Sequence, residues 1–180
     1  RDLLLRTEDT KVIGIDGANR KWFGTSNGIF VQSSNGEDEV FRFNVDNSPL
    51  YSNRIVDFAF DNRSGEVFIG TAAGVQSYRS NATLGTAIHL TDVKVFPNPV
   101  RPDFRGEIAI SSLAQNAIVK ITDVKGQLVF ETLANGGTAL WNGNDFSGRR
   151  VSTGVYLIFS TVQNDFGKTD TIVGKILFIN

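Results

Sequence analysis

Lys21-Trp22-Phe23-Gly24-Thr25-Ser26-Asn27-Gly28-Ile29 returns later in the chain as Glu66-Val67-Phe68-Ile69-Gly70-Thr71-Ala72-Ala73-Gly74-Val75. Gly24 and Gly70, Thr25 and Thr71, and Gly28 and Gly74 all stand 46 residues apart. Upstream, Val12-Ile13-Gly14-Ile15-Asp16 matches Val56-Asp57-Phe58-Ala59-Phe60-Asp61, with one residue inserted before Gly65. The first half of the chain is therefore a repeat, and the unit reads as short strands joined by tight turns. Residues 11–16 form a mostly apolar strand, and Gly17-Ala18-Asn19-Arg20 a polar turn into a second strand at 21–25. Asn27-Gly28 predicts a type I′ hairpin turn, because both residues tolerate positive φ. Residues 29–33 return as a third strand, and 39–45 alternate like an outer fourth.

A period of about 40–50 residues is that of one four-stranded blade of a β-propeller. Trp22 and Phe68 then fall at equivalent places and are expected to fill the wedge between neighbouring blades. The strand order, the Trp-Phe-Gly-Thr-x-Asn-Gly-Ile pattern and the lead-in Asn47-Ser48-Pro49-Leu50-Tyr51-Ser52-Asn53-Arg54-Ile55 resemble the two-component-regulator propeller repeat. The second blade runs out after Val75-Gln76-Ser77-Tyr78, which leads us to expect the remaining blades upstream of Arg1. Residues 80–91 are small and polar and read as a linker.

Composition bounds the chemistry. The 180 residues are 41% apolar and 21% charged, an ordinary globular balance. The net charge is −1, and neither half carries the basic excess of a nucleic-acid binder. No apolar run approaches the roughly 18 residues of a membrane helix. Cysteine is absent, which removes disulfides and thiolate chemistry, and the single histidine, His89, rules out a multi-histidine metal site. A Ser-His-Asp triad would have to use His89, which the linker reading places as a solvated loop histidine. Two oxygen-rich clusters, 61–66 and 142–148, lack the pattern of a calcium loop and read as turns. No catalytic, cofactor or metal residues are singled out.

The second half changes rhythm. Val93-Lys94-Val95-Phe96 meets Pro97-Asn98-Pro99-Val100, where two prolines stop strand pairing. Strands are expected near 107–111, 117–122, 127–133, 138–141, 153–162 and 170–179, with turns at Lys125-Gly126 and Ser147-Gly148. That density makes a β-sandwich of immunoglobulin size. Its core is expected from Val119, Ile121, Leu128, Phe130, Val155, Leu157 and Phe159, with Trp141 as an anchor. Val155-Tyr156-Leu157-Ile158-Phe159 is apolar at both parities, which suits a central strand covered on both faces.

Phe96-Pro97-Asn98-Pro99, Trp141-Asn142-Gly143-Asn144-Asp145 with Gly148, Ser152-Thr153-Gly154-Val155-Tyr156 and Gly174-Lys175-Ile176-Leu177-Phe178-Ile179-Asn180 occur in that order. The set resembles the C-terminal sorting domain of the type IX secretion system. The expected architecture is all-β: two C-terminal blades of a propeller over 1–80, a linker over 81–91, and an immunoglobulin-like sorting domain over 92–180. Propeller repeats followed by this domain resemble the PorZ-type family. That resemblance implies a non-enzymatic subunit of the attachment complex on the outer face of the outer membrane, exported through the periplasm. Its implied partners are type IX outer-membrane subunits, the sortase and anionic lipopolysaccharide. The alternative is an ordinary type IX cargo, or a propeller enzyme acting on polysaccharide, whose sorting domain is cleaved within or near 80–91. An extracellular sensor of a hybrid histidine kinase is a further reading. The sorting signal is expected on Gly154, Val155, Tyr156, Lys175, Ile176, Leu177, Phe178 and Ile179, with Lys175 the one cation in the terminal run and the terminal strand free to offer an edge.

Overall fold

The computed structural model describes residues 5–90, 92–163 and 169–179. The described residues form fourteen β-strands and no helix, and all the sheets are antiparallel. The chain divides into two compact units, Arg1–Leu84 and Gly85–Asn180.

The first unit holds two sheets. β1 (Thr10–Ile15), β2 (Lys21–Thr25), β3 (Ile29–Gln32) and β4 (Glu39–Phe43) pair in chain order, as do β5 (Ile55–Asp61), β6 (Glu66–Thr71) and β7 (Gly74–Arg79). The repeated Gly-Thr-x-x-Gly is the hairpin itself. Thr25 Oγ1 donates to the Gly28 carbonyl and accepts the Asn27 N–H, and Thr71 does the same with Gly74 and Ala73. Only the closing glycines, Gly28 at φ 117° and Gly74 at φ 132°, take positive φ. The expected type I′ turn is therefore corrected. Asn27 is not left-handed, because the threonine hydroxyl organises the bend and leaves the strained conformation to glycine alone.

Trp22, Ile29, Val31, Leu50, Ile55, Val67 and Ile69 form the buried core between these two sheets. Gly24 permits the close approach: a Cβ there would stand 2.6 Å from Ile55 Cγ2. Trp22 packs edge-on against Phe58 and Phe60 at ring distances of 6.0 and 5.8 Å. Phe68 does not share that role. It is 45% exposed, on the face of β6 that looks away from the first sheet, while Val67 and Ile69 point inward. Trp22 thus faces the second sheet, and Phe68, 46 positions on, faces away from the first, so the two side chains point the same way along the stack.

The polar turn after β1 hides a buried ion pair. Arg20 Nε donates to Asp16 Oδ2 at 2.7 Å, and the Trp22 indole N–H donates to the same oxygen at 2.8 Å. Arg20 also reaches Ser80 Oγ and Asn81 Oδ1.

In the second unit β11 (Leu128–Leu133), β10 (Ile118–Thr122), β13 (Gly154–Gln163) and β14 (Thr169–Phe178) form one sheet in that order. β12 (Thr138–Trp141), β9 (Ile108–Ser111) and β8 (Lys94–Phe96) form another. The two enclose a single core that includes Val100, Ile108, Ile110, Val119, Ile121, Trp141, Ile158, Ile176 and Phe178. The strand positions follow the expected alternation closely, but the parity of β13 is reversed. Tyr156, Ile158 and Ser160 point inward, leaving Val155 40% exposed and Leu157 and Phe159 half-buried on the other face. Leu128 is likewise exposed, and Phe130 packs at the core's margin against Trp141. A strand apolar at both parities carries no signal for which face goes in. Its pairing with β14 decides, setting Tyr156 beside Ile176.

Residues 81–91, expected as a linker, are divided between the units. Asn81 is held by Arg20 and Ala82 is buried in the first unit. Thr86 bridges Ala114, and Leu90 N–H donates to the Ser112 carbonyl, in the second. Thr91 lies outside the described residues.

Candidate functional site

The four sorting-domain motifs, spread over more than 80 residues of sequence, meet in the second unit. Trp141 ends β12, Tyr156 sits at the start of β13 and Phe178 at the end of β14. Their rings form a triangle, with centroids 6.0 Å apart for Trp141–Tyr156, 5.1 Å for Trp141–Phe178 and 5.5 Å for Tyr156–Phe178. Each polar handle finds a partner: the Trp141 N–H donates to the Asn144 carbonyl and the Tyr156 hydroxyl to the Ser152 carbonyl. Burial, reinforced by the nearby Asp123 charge, pushes the Tyr156 pKa up. Arg150 lies over the Phe178 ring and donates to the Asn142 and Phe104 carbonyls; burial lowers its pKa, and the neighbouring Arg105 adds to the effect.

The Pro-Asn-Pro motif closes the edge of β14. Asn98 Nδ2 donates to the Lys175 carbonyl at 3.1 Å, and Asn98 Oδ1 accepts the Leu177 N–H at 3.0 Å. Val100 N–H donates to the Leu177 carbonyl, and Ile179 N–H to the Val100 carbonyl. The expected free edge over 175–179 is thereby corrected: those backbone groups are already used. Asn180 lies outside the described residues.

The expected signal residues are therefore sorted by pairing. Gly154 opposes Phe178, Tyr156 opposes Ile176, and these last three side chains are buried. Val155 opposes Leu177 and Leu157 opposes Lys175 on the outer face, with the exposed Val173 beside them across from Phe159. Ile118 and Lys120 of β10 extend this face, and Lys120 lies 3.6 Å from Glu131. Among the described residues no carboxylate pairs with Lys175. The result is an apolar sheet face with an uncompensated cation near its middle.

The two oxygen-rich clusters are turns. Asp61 accepts the Ser64 hydroxyl, and Asp145 accepts the Ser147 hydroxyl and the Arg149 N–H. In each case the serine hydrogen bond is the main reason the carboxyl pKa is lowered, with backbone N–H groups adding to it. A cleft of about 740 Å³ beside the motif cluster is lined by Asp123, Asp145, Arg149, Arg150 and Tyr156 among others. Asp145 and Arg149 pair with each other and Tyr156 is engaged, so these groups are bound to one another rather than poised for chemistry.

Sequence reasoning missed His89. Its side chain is 2% exposed, not solvated. Nδ1 lies 2.8 Å from Asp170 Oδ2 and Nε2 2.8 Å from Ser160 Oγ. The order is that of a catalytic triad, but Ser160 is fully buried on the core side of β13, where no substrate carbonyl reaches its hydroxyl.

Residues 94–175 match the family model described as "Secretion system C-terminal sorting domain". Among solved structures, the chain is similar to PorZ of Porphyromonas gingivalis, described as an essential bacterial surface component of the type IX secretion system. The identity is 31%, covering 96% of this chain and 23% of PorZ, with a TM-score of 0.64. The chain thus spans about a quarter of PorZ's length. Dimeric latent PorU of the same organism is also matched, at 21% identity over 63% of this chain and 12% of PorU, with a TM-score of 0.40. No curated protein matches the sequence. Residues 94–175 thus carry a type IX C-terminal sorting domain, on a chain whose structure is similar to that of PorZ.

Proposed function

We propose that this chain is part of a non-enzymatic surface component of the type IX attachment complex. In this reading the first unit supplies two propeller blades, and the second is an immunoglobulin-like sandwich that serves as the secretion signal. The carrying observation is the likeness to PorZ over 96% of the chain, which takes in both units. The blade reading has separate physical support. Trp22 fills the interface between the two sheets while its equivalent Phe68 stands on the far face of the second sheet, pointing the same way, so the sheets stack front to back. Front-to-back stacking leaves one unsatisfied face at each end, which is how blades follow one another around a ring. Binding of anionic lipopolysaccharide and its delivery to the sortase are carried over from the PorZ-type resemblance.

In the sorting domain, the surface read by the secretion machinery is the outer face bearing Val155, Val173, Lys175 and Leu177. The aromatic triangle and the capped β14 edge are committed internally, whereas these side chains are accessible and cannot all be explained by packing. Their partner is an apolar surface carrying a carboxylate opposite Lys175. The test is export of the full protein to the cell surface with Val173→Ser and Leu177→Ser combined. Loss of surface protein, with an unchanged melting transition of the second unit, is the expected result. Undiminished export would move the signal to the loops. Intact mass of the surface form then separates a retained component from a cleaved cargo.

A further inference from the structure

We infer that His89 is a latch that holds residues 85–90, the start of the second unit, against its sheet and shields them from proteolysis. By composition, 80–91 reads as the cleavable linker, with Ala82, Thr83, Gly85, Thr86 and Ala87 as its small residues. Several of its main-chain groups are nevertheless tied to the second unit. The Thr86 carbonyl accepts the Gln115 N–H at 2.9 Å, Leu90 N–H donates to the Ser112 carbonyl at 3.2 Å, and His89 N–H donates to Asp170 Oδ2 at 2.8 Å. Gly85 packs so closely within the second unit that a Cβ there would stand 2.7 Å from Gln115 Cβ. Proteases take substrates as extended chain that can be drawn into a cleft, and these bonds hold residues 86–90 back from that.

The imidazole holds the arrangement. Asp170 Oδ2 accepts both the main-chain and the Nδ1 hydrogens of His89, and the Ser160 hydroxyl meets Nε2 from inside the core. Ser160 is an otherwise costly hydroxyl on the inward face of β13, and His89 satisfies it. One side chain therefore bonds a strand-interior hydroxyl and a carboxylate on the next strand, pinning residues 86–90 across β13 and β14. The latch does not depend on what the outer face binds or on whether the chain is a secretion component.

The experiment is limited digestion of the intact two-unit chain by a broad-specificity serine protease, with cuts mapped by mass spectrometry. Wild type is expected to resist cutting within 85–90, and His89→Ala to be cut there roughly tenfold faster, the factor expected from losing hydrogen bonds to a charged partner. Circular dichroism of each variant confirms that the second unit is folded. If His89→Ala unfolds it, His89→Asn carries the test, because it can keep the bond to Asp170 and lose only Ser160. An increase of about threefold in junction cutting is then expected. Equal cutting within 85–90 in wild type and the folded variant overturns the latch.

Discussion

The two units close their cores in opposite ways. In the first, every strand pairs with its neighbour in sequence, and two similar sheets share one interface while their far faces stay apolar and open. Ile13 and Ile15 remain exposed on one far side, and Phe68 and Val75 on the other. In the second unit the sheet order β11-β10-β13-β14 requires non-local pairing, and both sheets spend their inner faces on one shared core. Sheets with open apolar outer faces gain stability by stacking on further neighbours, whereas the two sheets of a sandwich bury their apolar faces against each other.

The comparison is broken most directly at the aromatic triangle. Phe178→Ala removes a fully buried ring touching Trp141 and Tyr156, and is expected to cost about 4 kcal/mol of the second unit's stability. A denaturant titration should show that transition shifted and the first unit's unchanged. In the first unit the counterpart is the buried ion pair. Asp16→Ala strands the Arg20 guanidinium and the Trp22 N–H, and should cost about 3 kcal/mol in that unit alone.

Substitution at the open faces sharpens the contrast by doing little to folding. Phe68→Ser is expected to change stability by less than about 0.5 kcal/mol while reducing self-association of an isolated 1–84 fragment, read by sedimentation. Lys175→Ala should also stay within about 0.5 kcal/mol, so any loss of export it causes reports recognition.

The smallest effect concerns acid. The Asp145 carboxyl has its folded pKa held below the unfolded value, chiefly by Ser147. Its contribution is therefore full above the unfolded pKa and is lost as pH falls through the lower folded value. Amide exchange in residues 142–150 should rise at acid pH before the strands respond, and Asp145→Asn should show the looser turn at neutral pH.

Much of the fold is legible in sequence because its causes are local. The Gly-Thr-x-x-Gly repeat encodes a complete hairpin within five residues, and strand positions in the second unit follow from turn residues between alternating runs. The sorting motifs are legible as an ordered set for a different reason: each supplies one member of a single aromatic and edge-capping cluster.

What the chain alone does not specify is which way its ambiguous pieces face. Val155–Phe159 is apolar at both parities, and only pairing with β14 turns Tyr156 and Ile158 inward. Phe68 reads as the twin of Trp22, and only the stacking of the two sheets places it outside. Asp16, Arg20, His89, Ser160 and Asp170 look like turn, loop and surface residues until partners up to 81 positions away are brought against them. Alternation and turn chemistry act over a few residues, so sequence determined the strands and hairpins. The burial of a polar group or of one strand face depends on what tertiary packing sets opposite it, and only the assembled structure decided that.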